Sequence, residues 1–72
     1  MTREEFETLQ VGEIIEDTDL GTVLIQEKGK INIAGYWTTE LKAKVLVKKT
    51  TAPTPMRIAC FYPEHAETME RL

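Results

Sequence analysis

The fold of this chain is decided by the stretch Thr22-Val23-Leu24-Ile25-Gln26-Glu27-Lys28-Gly29-Lys30-Ile31-Asn32-Ile33. Two runs rich in β-branched residues flank its central Glu27-Lys28-Gly29, which predicts two strands joined by a tight turn. A three-residue loop pairs Ile25 with Ile31 and gives one apolar face, and it places Gly29 where such loops need a left-handed residue. A two-residue loop would instead mix polar and apolar residues on both faces. The sequence therefore predicts a hairpin that turns at Glu27-Lys28-Gly29.

Similar short alternating segments occur on both sides of this hairpin. We predict five strands at Glu13–Glu16, Thr22–Gln26, Ile31–Trp37, Lys42–Lys49 and Met56–Tyr62.

Several details follow from the same pattern. The register places Trp37 inward, and alternation in the last strand favours Ile58 and Cys60 as its inward residues.

The segments between the strands have the residues of turns and loops. Asp17–Gly21 has turn chemistry, because aspartate side chains accept hydrogen bonds from nearby amides. The segment from Thr38 to Leu41 fits either one helical turn or a loop. Prolines predict an extended connection over residues 50–55.

Short helices are predicted near both ends of the chain. Thr2 and Glu5 have the spacing of a capping box, Phe6 begins the apolar face of that helix, and Gly12 can end the segment. Pro63 suits the first position of a C-terminal helix.

Together, these strands and helices predict a mainly β fold, a small five-stranded antiparallel barrel with a short helix at each end. We expect a single domain over residues 1–72.

The opening segment resembles SH3-like barrels of the Tudor and KOW type. Residues 9–25 have the form L-x-V-G-E-I-I-E-D-T-D-L-G-T-V-L-I, and those barrels open with a V-G-[DE]-x-[VI] strand, a turn and a G-x-V strand. The T-x-E-E-F-x-x-L-x-V-G-E segment is similar to the start of small phage and mobile-element proteins. The resemblance covers about residues 2–25. It implies a fold and no binding site, because Gly35-Tyr36-Trp37-Thr38 stands where many such modules have W-x-D-G.

Size and composition exclude several classes of protein. The 72 residues are 42% hydrophobic and 29% charged, which is typical of one small globular domain. Cys60 is the single cysteine, so the chain has no intrachain disulfide and too few ligands for a zinc cluster. No apolar run approaches the roughly 18 residues of a membrane helix, and the acidic N-terminus lacks the layout of a signal peptide. We expect a cytoplasmic protein that does not contact membranes.

No set of residues predicts catalysis or cofactor binding. Cys60 and His65 are the one available nucleophile–base pair, but we expect Cys60 to be a buried small hydrophobe rather than part of a dyad. Glu16, Asp17 and Asp19 predict an acidic turn, since the other ligands of a calcium loop are missing. The glycines follow the turns and form no phosphate loop. We predict a protein that is not an enzyme and has no cofactor or metal.

Charge is divided unevenly along the chain, within a net charge of −3. Residues 1–27 hold eight acids and one base, whereas residues 28–57 hold seven bases and one acid. Lysines on one strand face, next to exposed apolar residues, favour an acidic protein partner. The predicted partner-binding residues are Tyr36, Lys42, Lys44, Leu46 and Lys48.

Three other interpretations of these lysines stay open. The same stripe with its tyrosine fits single-stranded nucleic acid, although a chain of pI about 5.1 suits a polyanion poorly. The lysines can also form a solvated face, or protect strand edges from pairing with other chains. A self-assembling structural subunit is the third alternative, because a domain this small gains stability from a homo-oligomer.

Overall fold

The computed structural model describes residues 1–48 and 58–72, and these form a mainly β fold. The elements are helix α1 (Arg3–Thr8), strands β1 (Ile14–Asp17), β2 (Gly21–Ile33), β3 (Tyr36–Lys48) and β4 (Ile58–Phe61), a 3-10 helix (Pro63–Thr68) and strand β5 (Met69–Arg71). The predicted connection over residues 50–55, and the predicted strand residues 49, 56 and 57, lie outside the described residues.

The central hairpin turns at a different place from the one that the sequence predicts. Strands β2 and β3 form one long antiparallel ladder, and Gly29 pairs with Glu40 in the middle of it. The turn is Ala34-Gly35, whose φ angles of 51° and 87° are those of a two-residue hairpin loop with both central residues left-handed. The predicted loop at Glu27-Lys28-Gly29 is therefore wrong. The segment from Thr38 to Leu41 is neither a helical turn nor a loop but part of β3.

A β-bulge explains why the apolar pattern was misleading. Ile25 pairs with Ala43 and Glu27 with Lys42, so Gln26 is an extra residue in β2. An extra residue shifts the alternation of every residue after it. Ile31 consequently does not share a face with the buried Ile25.

Helix α1 begins as its sequence predicts. The Thr2 Oγ1 accepts from the Glu5 amide at 3.1 Å, and the Glu5 carboxylate accepts from the Thr2 amide at 3.1 Å, which completes the capping box. The helix ends at Thr8, before Gly12. Its last carbonyls are bound by Lys28, whose ammonium donates to the backbone oxygens of Glu7 at 2.7 Å and Leu9 at 2.8 Å.

The five antiparallel strands make one sheet in the order β4-β3-β2-β1-β5. Strand β5 was not predicted. It follows the 3-10 helix and pairs with β1, Asp17 opposite Met69. Within residues 1–48 and 58–72, no ladder joins β4 to β5, so the predicted closure into a barrel is not seen there.

The core lies on one side of the sheet, against α1 and the 3-10 helix. Its buried members are Phe6, Leu9, Ile15, Val23, Ile25, Leu41, Ala43, Ala59, Phe61, Ala66 and Met69.

Three residues that were predicted to point inward are exposed. In β4 the inward residues are Ala59 and Phe61, and Ile58 and Cys60 take the opposite face. Trp37 is 70% exposed. It shares the alternation of the buried Leu41 along β3, but it lies beyond the end of the core.

Candidate protein-binding surface

The side of the sheet that faces away from the core carries an exposed apolar row around a lysine. Ile14 pairs with Leu24, Leu24 with Lys44, and Lys44 with Ile58, so four neighbouring strands contribute one residue each. Ile14 is 43% exposed and Ile58 is 62% exposed. We call these four residues the outer row. They place a cation between aliphatic side chains on a solvent-facing surface.

Lys42 lies next to the outer row and has a nearby acid. Its ammonium is 3.7 Å from the carboxylate of Glu27, which is its partner across the ladder. Both side chains are largely exposed, so this pair contributes about 0–1 kcal/mol to stability. The contact nevertheless offsets part of the charge that Lys42 offers to a partner. Lys44 has no salt bridge among the residues that the structure describes.

Leu46 lies at a second irregularity of the ladder. Thr22 pairs with Val47 and Val23 with Val45, so Leu46 is an extra residue in β3. It is exposed, as are Val47 and Lys48 beside it. The structure therefore places Lys42 and Lys44 on the outer side of β3, as the sequence predicts. The extra residue shifts the alternation, so Val47, opposite Thr22, continues that side and Lys48, opposite Gly21, takes the other. The prediction that Lys48 shares a face with Lys42 and Lys44 is therefore wrong.

Tyr36 does not join that stretch. It lies at the far end of the hairpin, six positions before Lys42, and at about 3.3 Å per residue this is a separation of about 20 Å. It is 79% exposed and pairs with Ile33, which is 49% exposed. With Trp37 these residues form a separate exposed apolar cluster, which we call the hairpin tip.

The predicted partner-binding residues leave out three members of the outer row, Ile14, Leu24 and Ile58, and most of the hairpin tip. In the pair Ile14-Ile15 only one side chain can point inward, and this alternation was the available signal for Ile14. The larger Phe61, compared with Cys60, was the signal that β4 turns Ile58 outward. No local signal marks Trp37 as exposed, because its exposure depends on where the core ends.

Among the residues considered for catalysis and metal binding, His65 and Asp17 accept hydrogen bonds from the backbone. The Nδ1 of His65 accepts from the Tyr62 amide at 2.9 Å. Cys60 is exposed, and residues 1–48 and 58–72 contain no group of three His, Cys, Asp or Glu side chains that could hold a metal ion. Asp17, by contrast, is buried and orders the β1–β2 turn, because its Oδ2 accepts from the amides of Asp19 at 3.0 Å and Leu20 at 2.9 Å.

Hydrogen bonds to the carboxylates of Glu40 and Glu13 shift the pKa values of Tyr62 and Glu13. The hydroxyl of Tyr62 donates to Glu40 at 2.8 Å, and this bond raises the pKa of Tyr62. The amide of Gln10 donates to Glu13 at 2.6 Å, and this bond, with Arg71 at 3.1 Å, lowers the pKa of Glu13. Glu40 thus adds an acid to the same side of β3 as Lys42, between the lysines and the hairpin tip.

In the part of the chain that the structure describes, no helix has both the length and the apolar character needed to cross a membrane. Comparisons with protein-family models, curated proteins and solved structures find no match for this chain.

Proposed function

We propose that this chain is a small protein-interaction module without enzymatic activity, and that the outer row binds an acidic protein segment. The observation that carries the proposal is Lys44, an exposed cation without a salt bridge among the described residues, with Ile14 and Ile58 exposed in register on either side. Acidic side chains of a partner would contact Lys44. Apolar side chains of the same partner would cover the two isoleucines.

The two kinds of contact have different roles. Exposed charges mainly raise the rate of association and orient the partner, whereas burial of aliphatic side chains slows dissociation. Leu46 and Val47 extend the surface along β3, and Lys42 contributes less because Glu27 lies beside it. Single-stranded nucleic acid is bound largely by aromatic side chains that stack on the bases, whereas the apolar members of the outer row are aliphatic, which favours a protein partner.

We also propose that the sheet curls as in an SH3-like barrel. Support comes from the two edge strands, because Phe61 of β4 and Met69 of β5 are both buried in the same core cluster. The bulges at Gln26 and Leu46 add to this, since bulges bend a strand and increase its twist.

Selection from a displayed library of random peptides tests the function. We expect enrichment of peptides that combine Asp or Glu with aliphatic residues, and we expect Lys44→Glu to weaken their binding at least tenfold, mainly through slower association. Arg3→Glu is the matched control, because it makes the same charge change on an exposed residue of α1, away from the outer row. Equal loss in both variants, or no enrichment over beads without the protein, contradicts the proposal. Tight binding of single-stranded oligonucleotides at low salt, with no peptide enrichment, favours the nucleic-acid alternative.

A further inference from the structure

The hairpin tip exposes large apolar side chains on both of its faces. Tyr36 and Trp37 are consecutive in β3, so they point to opposite sides of the ladder, and both are more than two-thirds exposed. Ile33 lies opposite Tyr36 and adds to one face. A groove that receives Trp37 would bury the larger of the two aromatic side chains, which a flat surface against the Tyr36 face would leave exposed.

A groove of this kind lies at the other end of β2. It runs between the β1–β2 turn and β4, and its apolar walls include Leu20, Ile58 and Phe61. Its volume is about 290 Å³. A cavity of about 150 Å³ is known to hold a benzene molecule, so the groove has room for an aromatic side chain.

The charges of the two surfaces are opposite in sign. The distal part of the hairpin, residues 28–39, contains two lysines and no acid. Among the described residues that line the groove, the side chains charged at neutral pH are those of Asp17 and Asp19. Asp17 is buried and already accepts from two amides and from Thr68, whereas Asp19 is exposed. Asp19 is therefore the acid that can meet an incoming lysine.

We propose that the chain associates with itself head to tail, with the hairpin tip of one copy seated in this groove of the next. Lys30, which is exposed on the distal hairpin, would then lie near Asp19 of the neighbouring copy. The two surfaces differ and lie at opposite ends of β2, in a molecule about 36 Å long. Such a contact is heterologous, so each added copy presents a new free tip and groove, and the assembly grows into a ring or an open chain.

The contact between the hairpin tip and the groove is small, so we expect the affinity of self-association to be low. The tip contributes three large side chains, and an interface of that size falls below the roughly 1,000 Å² of a stable complex. We therefore expect weak, concentration-dependent association rather than a permanent oligomer. In sedimentation experiments from about 10 µM to about 1 mM, the average mass should rise steadily above the 8.2 kDa of the monomer.

Variants at the two ends test the geometry. Trp37→Ser removes the aromatic side chain of the tip, and Asp19→Lys reverses the charge at the groove; each alone should hold the average mass near that of the monomer. Both residues are exposed, and circular dichroism with a thermal melt checks that each variant folds.

A mixture of the two variants gives the decisive result. Trp37→Ser keeps an intact groove and Asp19→Lys keeps an intact tip, so an equimolar mixture should form a 1:1 dimer that grows no further. A mixture that stays monomeric overturns the proposal. So does association that Trp37→Ser abolishes and Asp19→Lys leaves unchanged, since that pattern indicates tip-to-tip contact. A wild-type mass that stays constant up to about 1 mM overturns it as well.

This contact is separable from the proposed binding of acidic segments. Ile58 borders both the outer row and the groove, so the variants leave it unchanged. Lys44→Glu should weaken peptide binding at least tenfold and leave self-association unaltered. Trp37→Ser should prevent self-association and leave peptide binding unaltered.

Discussion

The position of the central turn can be tested with two glycine substitutions, Gly35→Ala and Gly29→Ala. Gly35 has φ of 87°, a left-handed conformation that costs an L-residue with a side chain about 1–2 kcal/mol. Gly29 lies in β2, its φ is not in that region, and a Cβ added there has no atom within 4 Å. Alanine is favoured over glycine in a strand by about 0.5–1 kcal/mol. We therefore expect Gly35→Ala to lower the free energy of unfolding by about 1–2 kcal/mol, and Gly29→Ala to raise it by about 0.5–1 kcal/mol.

These changes are large enough to measure. A chain of 72 residues has a total stability of about 4–11 kcal/mol, so each substitution is a sizeable fraction of it. Urea denaturation followed by far-UV circular dichroism is the suitable assay. Fluorescence of Trp37 is a poor probe, because that side chain is already largely exposed in the folded protein.

The opposite pattern of signs would refute the observed topology. If the chain turned at Glu27-Lys28-Gly29, then Gly29 would be the left-handed residue and its substitution the destabilising one. If the slope of the unfolding free energy against urea concentration is the same in the wild type and both variants, the shifts of the unfolding midpoints measure changes in stability.

Two further predictions concern side chains that hold the fold together. Lys28→Met keeps the aliphatic stem but removes the ammonium that binds the last carbonyls of α1. We expect it to lower the free energy of unfolding, measured by urea denaturation, by about 1.5–3 kcal/mol. The control Lys30→Met should change that free energy by less than about 0.5 kcal/mol. Equal effects would contradict the capping role. The pKa of Glu13 is lowered in the folded state, chiefly by the hydrogen bond from the Gln10 amide. The ionised Glu13 therefore stabilises the fold fully at a pH above its pKa in the unfolded chain, which is about 4.3. This stabilisation is lost as the pH falls through the pKa of the folded state. The stability difference between wild type and Glu13→Gln should therefore shrink between pH 7 and pH 3, and a constant difference would exclude this role for the carboxylate.

Local chemistry in the sequence was sufficient for some elements and not for others. The capping box of Thr2 and Glu5 and the turn ordered by Asp17 depend on side chains within three residues of their partners, and the structure confirms both. The central hairpin depends on where the core ends and on a bulge at Gln26, which no residue near the turn specifies. The register with the most continuous apolar face therefore predicts the wrong turn.

The candidate surface was predictable in part for the same reason. Alternation along one strand correctly groups Lys42 with Lys44, because both follow the same pleat of β3. Ile14 and Ile58 join Lys44 only through pairing across four strands, and that pairing depends on the register of the whole sheet. Tyr36 was assigned to the lysines by its position in the sequence, but the length of β3 separates it from them.

Among the described residues, contacts between segments offset part of the uneven charge along the chain. Folding places bases of one segment against acids or carbonyls of another, as Lys42 lies by Glu27, Arg71 by Glu13 and Lys28 by the end of α1. The cations left without a salt bridge among the described residues include Lys44 on the outer row and Lys30 on the distal hairpin. Each lies near exposed apolar side chains, and the hairpin separates the two places. This separation is the physical reason to expect two contacts of different chemistry from one small domain.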